Sequence, residues 1–210
     1  MAMELNVQQS RLYWRTLMAN VTGLITDAHL LLRYGSAGRA RALTILAQEE
    51  LARANAVYEL AHATWTAGQG VITLPSKHLS SSVIHADKIT ATDAYGRGLE
   101  PFWGEYEDIL PLKSVEEIKK TNNDKKNGFY VDSKLSQQGT FDSPLDADPD
   151  VAASGLRRAA KVAEMALIRD NTRMQDSTQP HDSTSPLQTA LLPISHPELF
   201  AADDSLFDQN

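Results

Sequence analysis

The chain has no cysteine. Disulfides and thiolate metal sites are therefore excluded, and a reducing compartment, the cytoplasm, is the expected location. No apolar run approaches the roughly 18 residues that a membrane-spanning helix needs. The opening stretch, MAMELNVQQSRLYWR, has no apolar segment behind a basic start, so no signal peptide is expected. Basic charge is scarce: Lys and Arg number 20 against 27 Asp and Glu, a formal net charge of −7. A basic footprint over the whole surface is excluded, so DNA and membranes are not expected partners and any nucleic-acid contact must be a local patch. Beyond Arg173 there is no Lys or Arg at all. A glycine-rich phosphate loop, an HExxH zinc motif and an internal repeat are also missing. No cofactor and no metal is expected, although carboxylates with one histidine could hold a divalent ion.

What the chain does have is helical periodicity. Leu43, Leu46, Ala47, Leu51, Ala54 and Tyr58 recur at spacings of three and four, an amphipathic helix from Gly38 to about Trp65. Before it, Leu17, Val21, Leu24, Ala28 and Leu31 mark a helix from about Ser10, its expected N-cap, to Tyr34. Gly35-Ser36-Ala37-Gly38 is too short to allow anything but an antiparallel helix hairpin. Residues 1–9 read as a loose leader, and Val71-Ile72-Thr73-Leu74 as a short strand-like stretch. Further helices are expected over Leu79–Tyr95, Leu99–Leu110 and Lys113–Lys126. Asn127-Gly128 signals a turn, with Phe129–Asp132 extended after it. A last helix starts at Pro149 behind an Asp148 N-cap, with Ala152, Leu156, Ala159, Ala163 and Leu167 on its buried face. The fold class is all-α: a helical domain over residues 10–175, then a flexible acidic tail over 176–210. The tail's Ser/Pro-rich start suggests a linker. Its Leu191, Leu192, Ile194, Leu199, Phe200, Leu206 and Phe207 allow docking instead, on its own domain or on a partner.

Glu50 is the least expected residue of the central helix, because its spacing from Leu43, Ala47 and Ala54 puts a carboxylate on the apolar stripe. Such a group is costly unless paired. Glu49 and Arg53 stand beside it. Asp27 flanks the first helix's stripe, either as an exposed residue or as a site carboxylate. Lys119, Lys120, Lys125 and Lys126 are the only basic cluster, either a solvated helix end or a small anion or RNA-backbone patch near Phe129 and Tyr130.

The run GRARALTILAQEELAR, with Glu49-Glu50 followed by basic Arg53, resembles the AbiV-type abortive-infection proteins, whose motif helix carries a Glu-Glu-Leu-x-Lys-like sequence. Asp27-Ala28, the His85-x-x-Lys88 pair and Asn127-Gly128-Phe129-Tyr130-Val131-Asp132 with Pro144 agree in order and spacing. The resemblance covers about Ser10 to Gln175. It implies a HEPN-like helical bundle, a homodimer, and phage defence by abortive infection with arrest of translation in the infected cell. Tyr13 and Trp14, at the edge of the first helix, are the expected dimer anchors. Many HEPN domains are toxins that cut RNA with an arginine followed, after four to six residues, by a histidine. This sequence departs from that signature: Arg53 and His62 are the nearest ordered pair.

Two molecular readings stay open. In one, Glu50, Arg53, His85 and Lys88 form a ribonuclease-like site, with His85 at the 2′-hydroxyl, Arg53 or Lys88 on the phosphate and Glu50 orienting them. Glu49, Asp27, Lys125, Lys126 and Tyr130 are then candidate binding residues for RNA. In the other, the polar groups form a buried network that locks helix register, and the domain is a non-catalytic binding module switched by a phage protein.

Overall fold

The computed structural model describes residues 2–75, 115–131, 141–175 and 182–200. The expected helices over Leu79–Tyr95 and Leu99–Leu110, with His85 and Lys88, lie outside these residues. Over the described residues the fold is all-α. The exception is one small antiparallel ribbon: β1, Met3–Asn6, pairs with β2, Val71–Leu74, in the register Met3↔Leu74 to Asn6↔Val71. The first residues are thus not a loose leader. Leu5, Ile72 and Leu74 alternate into the core, while Glu4 and Val71 face out.

Helix α1 runs Val7–Arg33, one turn earlier than Ser10 would start it. Asn6 is the N-cap. Its side chain accepts from Gln9 N–H at 2.9 Å, and Gln9 Oε1 accepts from Asn6 N–H at 3.1 Å, a reciprocal capping box. Ser10 is instead buried in the first turn. Its hydroxyl donates to Asn6 C=O at 2.8 Å and accepts from Trp65 Nε1–H at 2.8 Å. At the other end Gly35 takes φ +77°, which lets its N–H reach Leu32 C=O while Ser36 N–H reaches Leu31 C=O. This Schellman motif turns the chain into α2, Ala37–Ala67.

Helix α2 packs against α1 on one side, against α3 (Val115–Asn127) on another and against α4 (Pro149–Gln175) on a third. Being covered on three sides, it is apolar nearly all round rather than along one stripe. Ala47, Leu51, Ala54 and Tyr58 are buried as expected, but so are Ala42, Ile45 and Ala52, while Leu43 and Leu46 sit half-buried at the edge. α4 begins as expected: Asp148 Oδ1 accepts from Asp150 N–H at 2.8 Å, and Ala152, Leu156, Ala159, Ala163 and Leu167 are all buried. Alanines on both α2 and α4 let these helices pack closely. Trp14, Tyr58 and Trp65 meet in the core with ring centroids 5.7–5.8 Å apart. Trp14 is therefore a core residue, not an exposed dimer anchor.

The extended piece expected after Asn127-Gly128 is not there over residues 129–131. Phe129 and Tyr130 N–H both turn back to Lys126 C=O at 3.0 Å, wrapping the end of α3. Pro144–Asp146 forms a 3-10 turn. Part of the segment expected as a flexible tail docks: α5, Ser185–Ser195, buries Leu191 and Ile194 against α1 and α4. Leu187, Leu191 and Ile194 are spaced by four and three, the helical period that makes one docking face. Among the described residues no helix is long and apolar enough to cross a membrane.

Candidate functional site

Each charge of the central motif reaches a neighbouring helix or its own. Glu49 is the buried carboxylate. Its Oε1 accepts from Lys125 Nζ of α3 at 2.6 Å, with side chains 8% and 11% exposed. About two turns earlier on α2, Arg41 pairs with Asp124 at 2.6 Å. The same interface closes on glycines. A Cβ on Gly128 would collide with Gly38 C=O, and one on Gly38 would collide with the Pro144 backbone. Glycine is required there for close approach, not for an unusual φ.

Glu50 sits at the α1 edge and not on the core stripe. Its Oε2 accepts from Arg53 Nη1 at 2.7 Å and its Oε1 from Asn20 Nδ2 at 3.3 Å. Arg53 Nη2 also donates to the Tyr13 hydroxyl at 2.8 Å. Burial works against the Arg53 charge, but Glu50 and Tyr13 outweigh it and hold the guanidinium protonated above its usual range. Position 50 missed the core because the stripe was read as one face, whereas a helix covered on three sides buries residue 49 as well.

Of the other candidates, Asp27 is exposed on α1, and Lys126 and Tyr130 are exposed at the end of α3. Lys125 is not part of a solvated helix end, because it is buried against Glu49. Glu50 and Arg53 are brought together, and Glu49 with Lys125. Arg53 and His62 do not converge. Nine residues at about 100° each put them on opposite sides of the helix, and His62 stacks on Tyr58 with Nδ1 3.1 Å from Tyr58 C=O. Among the described residues no group of three histidine or acidic side chains is placed to hold a metal ion.

Two features were absent from the sequence reading. Tyr13 and Asn20 complete the Glu50–Arg53 cluster from α1. Antiparallel packing announces Asn20, because it and Glu50 are equidistant along the chain from Gly35. The second feature is a polar centre at the opposite end of the hairpin from Gly35. Arg11 donates Nη1 and Nη2 to the two oxygens of wholly buried Asp170, both at 2.7 Å. Its Nε and Nη2 bind Asp182 at 2.8 and 2.7 Å, which ties the C-terminal segment to α1. The guanidinium lies 4.7 Å from the Trp14 ring centroid and 5.2 Å from that of Trp65. Burial alone would raise the Asp182 pKa. Arg11, aided by Arg15, outweighs it and holds the carboxyl below its ordinary value. No residue type or short spacing signals this centre, because its partners lie more than 150 positions apart in the chain.

No curated protein and no solved structure matches this chain. The HEPN_AbiV family model, described as AbiV, matches residues 9–164. That span holds the helix hairpin, the Glu49–Glu50–Arg53 motif, Lys125, Gly128, Pro144 and more than half of α4, and on that match the chain belongs to the AbiV family of HEPN domains.

Proposed function

We propose that this protein acts in phage defence by abortive infection, arresting translation in the infected cell, and that its domain works by binding a partner rather than by cutting RNA. The observation that carries the reading is how the motif charges are used: Glu49 holds α3 through Lys125, and Glu50 with Arg53 holds α1 through Asn20 and Tyr13. Groups engaged in this way set helix register and are poorly placed for proton transfer to a substrate. The opposed directions of Arg53 and His62 support the same view.

A binding surface is available. Gly38 touches both Gly128 and Pro144, and the large apolar side chains of Tyr34, Tyr130 and Leu145 stand exposed close to these three residues in the chain. Exposed apolar groups gathered at one end of a domain commonly mark a partner site. A phage protein acting as the switch would engage this end. The homodimer implied by the family keeps that support but loses Trp14 as its anchor.

The test follows translation and RNA together after phage challenge. Stalled protein synthesis with intact ribosomal, transfer and messenger RNA is the expected result. Discrete RNA cleavage that vanishes in a folded His85→Ala protein would overturn the binding reading and restore the ribonuclease one.

A further inference from the structure

Helix α1 meets α2, α4 and α5 on its other sides and leaves one face open to solvent. Leu12, Thr16, Ala19, Gly23, Thr26 and Leu30 follow one another at steps of four, three, four, three and four, so they share that face. All are exposed except half-buried Thr26, and the two leucines are 67% and 49% exposed. Both threonine hydroxyls are satisfied within the helix. Thr16 Oγ1 donates to Leu12 C=O and Thr26 Oγ1 to Thr22 C=O, each at 2.9 Å. A Cβ at Gly23 would meet nothing within 4 Å, so another helix can come close there. A single exposed leucine is ordinary. The order of these residues is not, because the series reads alike in both directions. Leu12 and Leu30, Thr16 and Thr26, and Ala19 and Gly23 are pairs equidistant from position 21. Such a face is complementary to itself when a second copy is turned end for end, the condition for a twofold contact.

We propose that two copies of the chain meet on this face, their α1 helices packed antiparallel about a twofold axis level with residue 21. Leu12 of each copy then packs on Leu30 of the other, Thr16 on Thr26 and Ala19 on Gly23. The largest side chains lie at the ends and the smallest residues where the helices approach most closely. The bordering charges favour this sense. Arg15 and Asp27 are both exposed and are also equidistant from position 21. At 1.5 Å per residue, antiparallel packing sets each about 18 Å along the axis from its own copy, beyond a Debye length, whereas a parallel pair would put like charges level. Two facing helices in contact over about 27 Å make a small interface, so the dimer should dissociate on dilution. The proposal rests on the homodimer stated above and adds where it forms.

The chain has no cysteine of its own, so introduced ones report the contact directly. Full-length Leu12→Cys and Leu30→Cys proteins are mixed and briefly oxidised. The mixture should give a disulfide-linked heterodimer and either protein alone almost none, because position 12 lies about 27 Å from position 12 of the other copy. Gly23→Gln fills the open space at the closest approach and raises helix propensity. It should keep the helical circular dichroism spectrum and weaken the dimer at least about tenfold, read by sedimentation velocity over a dilution series. A wild-type chain that stays monomeric at hundreds of micromolar overturns both the homodimer and the face. A dimer that Gly23→Gln leaves unchanged, or self-linking of either single-cysteine protein as strong as in the mixture, overturns the face alone and leaves the homodimer standing.

Discussion

Glu49→Gln is the substitution that most directly tests how the motif is used. Both side chains of the Glu49–Lys125 pair are about nine-tenths buried, and the contact is 2.6 Å. Removing one partner of a buried ion pair typically costs about 3–5 kcal/mol, because the other charge stays desolvated. Glutamine keeps the shape and an oxygen acceptor for Lys125 Nζ, so the loss should fall near the lower limit, about 3 kcal/mol. For a chain of this size each kcal/mol moves the melting temperature by roughly 2–4 °C, which gives a fall of about 6–12 °C. Thermal circular dichroism measures it. A double-mutant cycle with Lys125→Met then isolates the pair, and Glu49→Leu with Lys125→Met should recover most of the loss, as apolar replacements of buried pairs often do. A Glu49→Gln protein that melts with the wild type, with no coupling to Lys125→Met, would refute the claim that this carboxylate holds α3 to α2.

Other outcomes follow from the same geometry. Glu50→Gln should cost less than about 1 kcal/mol, because Glu50 and Arg53 are only partly buried and Tyr13 still accepts from Arg53; a melting fall as large as that of Glu49→Gln would show that the wrong carboxylate has been assigned to the interface. Leu191→Ala should destabilise the whole domain by about 2–5 kcal/mol, since Leu191 is fully buried; an unchanged denaturation midpoint would mean that α5 is not part of the cooperative unit. Gly38→Ala should destabilise by about 1–3 kcal/mol, because its Cβ meets backbone rather than a movable side chain, and urea unfolding reads the effect. The folded Asp182 pKa lies below its ordinary 3.8, so its contribution is fully present above that value and is lost as pH falls through the lower folded one. Hydrogen exchange over 182–200 should accelerate only below about pH 4, and Asp182→Asn should remove that acid limb.

What the sequence made legible was what one helix or turn contains. The α4 N-cap at Asp148, the alanine stripe behind it, the Gly35 turn and the antiparallel hairpin all follow from residues within a few positions of one another. Each error came from a choice that a distant partner decides. Ser10 is a good cap by residue type, but Asn6 with Gln9 makes a complete box, and the Trp65 indole draws Ser10 inward from 55 positions away. Residues 1–9 looked loose because a four-residue strand shows its alternation only beside its mate, Val71–Leu74. The tail's composition left both a linker and a docked segment open, and three apolar side chains at helical spacing settle 185–195 as docked once α1 and α4 offer a surface.

The adjacent glutamates show most clearly why a single stripe misleads. On one isolated helix Glu49 and Glu50 point about 100° apart, so at most one of them can face a given neighbour. Reading one apolar face assigned the core to Glu50 and the flank to Glu49. With α1 on one side and α3 on another, both carboxylates have a neighbour, and which is buried depends on where α3 lies. Lys125 carried that information: a lysine in a polar helix, one position after Asp124, with Arg41 and Glu49 eight residues apart on α2 to receive the pair. Two oppositely charged couples, Arg41–Asp124 and Glu49–Lys125, set about two turns apart on α2 but on adjacent residues of α3, define a helix–helix contact in a way that no hydrophobic pattern in so polar a segment could. The charge pattern of α3 is therefore what specifies its docking, and Glu49, expected from the sequence as a candidate binding residue beside Glu50, is the carboxylate that pairs with α3.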